Sequence, residues 1–510
     1  MKKDPYYITT PIYYVNDKPH IGHAYTTIVC DIIARFARLD GRETYFLTGT
    51  DEHGMKVQQS AEKAGTPPLE FVNPGSEKFK DLFKALDISF DDFIRTTEER
   101  HKKAAQHLWQ VIADKGLIYK DSYSGWYSVR DECYYTESEL VDGKAPTGAP
   151  VEWLEEESYF FKLSAFQQPL LECYQKHPEL IQPESRRNEV IRFVESGLRD
   201  LSISRQKLKW GIPVPGDESH VMYVWFDALT NYISALGYPE HTEKMQTFWP
   251  ATLHVVGKDI LRFHTVYWPA MLMAAGIDVP KKVFAHGFWT RDGQKMSKSL
   301  GNGLDPYELI DDFSVDAVRF FMAREVAFGQ DGDFSRDSFI RLTNSHLAND
   351  LGNLAQRVLS MIHKNCEGKM PTPGTLMPDD KDLLIAVDGL YEQVSELVLE
   401  QQAIQKYVEV VWAVIRQANQ YVDAQAPWTL RKTDLERMKT VLFVLAECIR
   451  QIAVLIQPLM PKSAGGLLDQ LAVLQTERNF LFLSSDHALK PGTEIPKPEG
   501  LFPRFVEEDE

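Results

Sequence analysis

Two short runs carry residue types that could do chemistry together. His20 and His23 stand three positions apart with Gly22 between them, and Lys295 and Lys298 flank Met296-Ser297. On a helix, residues three apart share one face. A helix start offers free N–H groups and the positive end of the dipole, which suits a phosphate. A glycine beside them lets a flat ligand approach the backbone. Lysines in a loop bracketed by Gly293 and Gly301 can close on phosphoryl oxygens as charge grows there. Other readings stand beside these. The His-x-x-His spacing also fits zinc, with Asp51 or His53 as further ligands, and a lysine pair also serves as a plain solvated loop.

The elements that must position these residues follow from local pattern. Tyr6 to Thr10 is aromatic and β-branched, as in a strand. Asn16-Asp17-Lys18-Pro19 is turn chemistry. From Gly22 to Leu39 the apolar residues Ile28, Ile32 and Phe36 recur at helical spacing, ending at Asp40-Gly41. Glu43 to Leu47 reads as a second buried strand running into Thr48-Gly49-Thr50-Asp51-Glu52-His53-Gly54. Parallel strands deliver ligand-binding groups at their C-terminal ends, so Asp51 and His53 are expected to face the crevice that His20 faces. Thr96-x-x-Glu99 predicts a capping box for a helix reaching about Lys115. Later, Leu253–Gly257 and Val283–Thr290 read as strands, Lys258–Ala275 as an aromatic-rich helix, and Arg291 to Gln294 as a turn. Asp305-Pro306 predicts an N-cap followed by proline at the first helical position.

Residues 1–116 and 214–334 have this α/β character. Residues 117–213 interrupt it with antiparallel strand patterns, a loop at Gly143–Pro150 and a basic run from Arg186 to Lys209. Residues 335–488 are helical, with long periodic stretches at Phe339–His363, Leu383–Ala418 and Leu435–Leu459. Residues 489–510, rich in proline and acid, predict a tail over the surface.

At 510 residues and 44% hydrophobic content the chain can build several cores. A formal net charge of -17 speaks against non-specific binding to nucleic acid or acidic membranes, though a local basic patch can still dominate a close contact. The five cysteines, Cys30, Cys133, Cys173, Cys366 and Cys448, are dispersed and form no C-x-x-C, which points to a reducing compartment. No signal peptide or membrane span is evident, and a cytoplasmic location is expected.

His20-Ile21-Gly22-His23 and Lys295-Met296-Ser297-Lys298-Ser299, in this order and in an α/β context, resemble the two signature motifs of class I aminoacyl-tRNA synthetases. Their neighbours narrow the resemblance to the methionyl-tRNA synthetase family. These are Pro11 to Asn16, Gly49 to Gly54, Val224-Trp225-Phe226-Asp227-Ala228, Gly257 to His264 and Gln425-Ala426-Pro427-Trp428. The resemblance implies a Rossmann-type parallel sheet split by an inserted connective domain and followed by an all-α anticodon-binding domain. It implies ATP with Mg2+, L-methionine and tRNA(Met), the initiator included, as partners. It implies that His20 and His23 steady the triphosphate, that Gly22 leaves room for adenine, and that Lys295, Ser297 and Lys298 form the mobile phosphate-binding loop. Gly257 and Asp259 match the ribose position, although Asp259 also reads as a helix-start residue. Asp51 is the candidate for the methionine ammonium, or alternatively a cap before Gly54. Ile12, Tyr14, Trp225, Tyr232, Ile260, Phe263 and His264 match the side-chain pocket. An apolar aromatic pocket suits a thioether, and weak hydrogen bonding there leaves homocysteine as a competitor. Asn353, Arg357 and Trp428 match the anticodon readers, since single-stranded bases stack on aromatic rings. A core anchor is the other reading of Trp428. Many relatives hold zinc in the insertion. With only Cys133 in the corresponding stretch here, no zinc is expected. Absence of an extra C-terminal barrel leads to the expectation of a monomer.

Overall fold

Aromatic and β-branched runs at the start of the chain form strands that are buried on both faces, the pattern of a parallel sheet under helices. The computed structural model describes residues 3–16, 18–130, 133–296 and 302–505. Its main sheet holds seven strands: β1 (Tyr6–Thr9), β2 (Tyr13–Tyr14), β3 (Thr44–Asp51), β4 (Asp92–Arg95), β5 (Ile181–Gln182), β6 (Leu253–Gly257) and β7 (Val283–His286). Every pair in it is parallel. β1 lies between β3 and β6, and β2 continues along the same edge of β3 beyond the end of β1. The chain therefore departs from β1 in two directions, and a crevice opens at the C-terminal ends of β1 and β6. β5 belongs to the segment 117–213, so that segment returns one strand to the main sheet.

Helix α1 (Ile21–Leu39) lies against β1, β3 and β6. It is buried along nearly its whole length, which its apolar run from Ile28 to Ala37 accounts for. The same segment also builds a four-stranded antiparallel sheet, ordered Cys133–Tyr135, Ile118–Ser128, Glu152–Phe161 and Leu201–Ser202, and the helices Gln167–Lys176 and Glu184–Glu195.

Three local expectations are corrected. The helix after β4 is Glu99–Asp114, with Glu98 at its N-cap position and no side-chain capping bond, so Thr96 does not cap it. Thr96 Oγ1 instead accepts from the Glu52 N–H at 3.0 Å. The run Val283–Thr290 is not one strand. It breaks after His286, and Trp289–Arg291 joins a small sheet with Gln294–Lys295 and Gly332–Phe334. The stretch Leu383–Ala418 is not one helix. It belongs to three, Pro378–Asp388, Leu390–Leu399 and Ile404–Gln425, with Gln402 at a φ of 52° in the last break.

The helical region packs on the sheet domain through buried polar contacts. Arg319, fully buried, donates to Asp31 of α1 at 2.7 Å and to the carbonyls of Leu86, Pro458 and Leu459. The tail is tied down rather than loose. Ile495 is buried, and Asn344 exchanges two hydrogen bonds with the backbone of Phe505.

Candidate functional site

His20 is the N-cap of α1. Its Nδ1 accepts from the Gly22 N–H at 3.1 Å, while Nδ1 of His23 accepts from the His20 N–H at 3.1 Å. With both Nδ1 atoms accepting, each neutral ring carries its proton on Nε2. The rings stack at 3.7 Å between centroids. His23 meets Tyr13 and Phe79 edge to face. Burial there, and then the neighbouring His20, hold its imidazole well below the usual range. A Cβ on Gly22 would lie 3.0 Å from Cε1 of His20. The space beside Gly22 is thus filled by the His20 ring, and a base seated there requires that ring to turn away.

These contacts, with His53 turned onto Asp227, leave the zinc reading of the histidine pair without support. Among the described residues no three His, Cys, Asp or Glu side chains are grouped to hold a metal ion.

Gly257 ends β6, next to His286 at the end of β7. Asp259 stands at the exposed rim just beyond, in a single turn of 3-10 helix. A Cβ on Gly257 would fall 2.6 Å from Oδ1 of Asp259, so only glycine lets that carboxylate fold back over the strand end. His286 passes its Nδ1–H to the Gly287 carbonyl and faces Thr26 of α1 at 2.8 Å, tying β7 to the helix that begins with His20. Burial lowers the His286 pKa to about 4. After β7 a two-residue turn, Asp292 and Gly293, both at positive φ, joins the two hairpin strands. Asp333 anchors it, accepting from the Gly293 N–H and the Thr290 hydroxyl. This hairpin carries Lys295 opposite Thr290. Ser297 and Lys298 lie outside the described residues.

On the other side of the crevice, Asp51 ends β3, buried and paired with Tyr14 of β2. Phe263, Trp225, His264 and Tyr232 meet ring to ring in sequence, and Ile12, Tyr14 and Ile260 are partly buried. All but His264 belong to one apolar cluster, and His264 joins by hydrogen bond. Trp225 stacks on Phe263 at 3.8 Å with ring planes 5° apart. His264 donates from Nδ1 to the Ile260 carbonyl at 3.0 Å, so its Nε2 accepts from the Tyr232 hydroxyl at 2.7 Å. Burial holds the His264 pKa near 4, and the ring stays neutral. Tyr232 is itself fully buried and forms the back of this wall rather than its surface.

The sequence reading did not single out Asp227 and His101. Asp227 Oδ2 takes Nδ1–H of His53 at 2.6 Å, and Oδ1 takes Nε2–H of His101 at 2.7 Å. Burial alone would raise the Asp227 carboxyl, but the two imidazoles hold it down at about 2. A lone aspartate inside the apolar run Val224–Leu229 is the available signal, because such a residue is buried only with partners.

In the helical region Asn353 is exposed at the start of helix Asn353–Asn365, with Arg357 one turn on. The Arg357 guanidinium lies 5.0 Å from the Trp428 ring and pairs with Asp423 at 2.7 Å. Trp428 begins helix Pro427–Thr433 and is 40% exposed, which does not fit a core anchor. Arg357, Met361, Val422, Pro427 and Trp428 line a cavity of about 220 Å³.

The chain matches the family described as tRNA synthetases class I (M) over residues 6–152 and 147–359, and the anticodon binding domain of methionyl tRNA ligase over residues 370–510. A methionine–tRNA ligase of Brucella suis is 54% identical over 515 residues, spanning 100% of both chains. One from Mesorhizobium japonicum is 54% identical over 514 residues, covering 100% of this chain and 99% of its own. Among solved structures, Mycobacterium tuberculosis methionyl-tRNA synthetase in complex with methionyl-adenylate superposes with a TM-score of 0.96 at 50% identity, over 98% of this chain and 100% of that one. The free-state structure from the same organism gives 0.90 at 47% identity over 99% of each chain.

Proposed function

Since this chain belongs to the class I methionyl-tRNA synthetases, we propose how its residues divide the work of the reaction. The enzyme joins L-methionine to tRNA(Met) through methionyl-adenylate. A methionine carboxylate oxygen attacks the α-phosphorus of ATP, the bond to the bridging oxygen breaks, and pyrophosphate leaves. The 2′-hydroxyl of the terminal adenosine of the tRNA then takes the methionyl group and AMP leaves. Neither step needs a nucleophile or base from the protein, so positioning and charge neutralisation carry the rate.

His20 and His23 present Nε2–H groups to the triphosphate, and the dipole of α1 adds to them. Asp259, held over Gly257, accepts from a ribose hydroxyl. Lys295, Ser297 and Lys298 close on the phosphates, with Mg2+ arriving on the nucleotide. Ammonium groups that meet the transition state more strongly than bound ATP are what accelerate the step. Asp51 holds the α-ammonium of methionine, the cation every free amino acid presents. Ile12, Tyr14, Trp225, Ile260 and Phe263 enclose the thioether, backed by Tyr232 and His264. Residues 1–116 and 214–334 form the catalytic halves around the insertion 117–213. Asn353, Arg357 and Trp428 read the anticodon from the helical region, with a CAU base stacking near Trp428. The expected species is a cytoplasmic monomer.

What supports this reading is that α1 starts, β6 ends and the hairpin strands Trp289–Arg291 and Gln294–Lys295 follow β7 at the C-terminal ends of the parallel strands, where β3 ends in Asp51. Lys298→Ala tests it. Methionine-dependent exchange of labelled pyrophosphate into ATP should fall about tenfold or more while methionine affinity stays unchanged. Undiminished exchange would overturn the role of the loop.

A further inference from the structure

We infer that Asp227, bridged by His53 and His101, is a positioning residue that locks the ammonium-binding and thioether-binding walls of the methionine pocket to one another and so sets side-chain selectivity. This rests on the roles proposed above for Asp51 and Trp225.

Three elements meet at this carboxylate. His53 comes two residues after Asp51, at the end of β3. His101 projects from helix Glu99–Asp114. Asp227 comes two residues after Trp225 in the short helix Val224–Leu229. His101 also reaches, through Nδ1, the Ser234 hydroxyl at 2.9 Å, two residues beyond Tyr232. Thus one buried network grips the ammonium side at its strand end and the aromatic wall at two points.

Asp227, His53 and His101 are 1%, 3% and 0% exposed. Both carboxylate oxygens are already occupied by imidazoles, so Asp227 acts on methionine through its neighbours. The loop it holds is stiff from the other side as well. Glu52, fully buried, receives both the Nε and Nη2 protons of Arg95, and its carbonyl accepts from the Trp210 indole at 2.6 Å. The Gly54 N–H donates to the Trp210 carbonyl.

Stiffness matters here for a specific reason. A thioether offers little to hydrogen-bond, so the pocket must discriminate by fit, where each methylene is worth little. Fit survives only if the wall carrying Trp225 cannot drift relative to the group that anchors the ammonium. Charge-assisted hydrogen bonds to a buried carboxylate supply that constraint, because breaking one leaves a buried charge unpaired.

The test compares His53→Leu with His53→Asn, whose side-chain amide keeps a donor near the Nδ1 position, and adds Asp227→Asn. The readouts on the full-length enzyme are pyrophosphate exchange with methionine and with norleucine, in which a methylene replaces the sulfur, the KM for ATP, and the Tm. His53→Leu should raise the methionine KM and lower the methionine-to-norleucine ratio of kcat/KM by about tenfold, leaving the ATP KM unchanged. His53→Asn should restore most of the ratio. Asp227→Asn should behave as His53→Leu does; should it fail to fold, the His53 pair decides alone. A ratio unmoved in His53→Leu, with activity toward both amino acids falling together, would overturn the inference and leave a merely structural network. If Asp51→Asn and Trp225→Ala also leave the methionine KM unchanged, the pocket assignment itself falls. If they raise it while His53→Leu leaves the ratio alone, only the inference falls.

Discussion

The two sides of the crevice are built differently. On the side proposed for methionine the rings hold one another by a stack and hydrogen bonds. Trp225 is stacked on Phe263, His264 is fixed between Tyr232 and the Ile260 carbonyl, and Asp51 is buried at the end of β3. On the side proposed for the nucleotide His20 is exposed, its ring stacks on His23 and fills the space beside Gly22, and Asp259 stands at the rim. If the proposed assignment holds, the amino-acid pocket is built of mutually held rings, which favours selectivity. Under the proposed assignment the His20 ring turns aside for the base, which allows contacts that strengthen only as the reaction proceeds.

The sharpest way to break this contrast is Asp51→Asn. Loss of a buried anion opposite the ammonium should lower kcat/KM for methionine by about 10²-fold or more, since truncating one partner of a buried charge pair costs about 2–5 kcal/mol. Pyrophosphate exchange at varied methionine reads this, and a change in the ATP KM instead would reverse the assignment of sides. Next is Gly257→Ala. The new methyl meets the Asp259 carboxylate and should raise the ATP KM several-fold, about 1 kcal/mol, with the methionine KM unmoved. Trp428→Ala should touch neither side. It should raise the tRNA KM in aminoacylation and spare pyrophosphate exchange, whereas loss of both would make Trp428 a folding residue.

The smallest effect is on stability. The folded pKa of His264 is held near 4 by burial, against about 6.5 in the unfolded chain. Between those values the unfolded state binds a proton that the folded state refuses. Stability should therefore fall as pH drops from about 6.5 toward 4 and be independent of this group above 6.5. Denaturant titrations across that range should show a shallower slope in His264→Gln.

Much of the nucleotide side was legible in the sequence because it is local. The helix start at His20 to His23, the turn through Asp292-Gly293 and the Asp305-Pro306 helix start are written in adjacent residues, and the structure has all three. On the side proposed for methionine, Asp51 was legible as a strand-end residue, whereas the aromatic wall was legible only through family resemblance. Trp225 and Phe263 stack over a separation of 38 residues, and His101 meets Asp227 over a separation of 126 residues, which no periodicity reports. Where local rules failed, a tertiary partner had claimed the residue. Thr96 fits a capping box, yet its hydroxyl serves Glu52 of the neighbouring strand end. The helical pattern through Leu383–Ala418 is continuous, but the chain turns at Gln402, whose side-chain oxygen accepts from the Lys282 ammonium of the sheet domain at 3.2 Å.

The most direct measurement is calorimetric titration of methionine into the free enzyme without nucleotide, for wild type, Trp225→Ala and Lys298→Ala. A preformed amino-acid pocket requires that methionine bind without ATP, that Trp225→Ala weaken it about tenfold or more, and that Lys298→Ala leave it unchanged. Methionine that binds only once ATP is present, or that is weakened equally by both substitutions, would contradict the division of the site into a rigid half and an adaptable one.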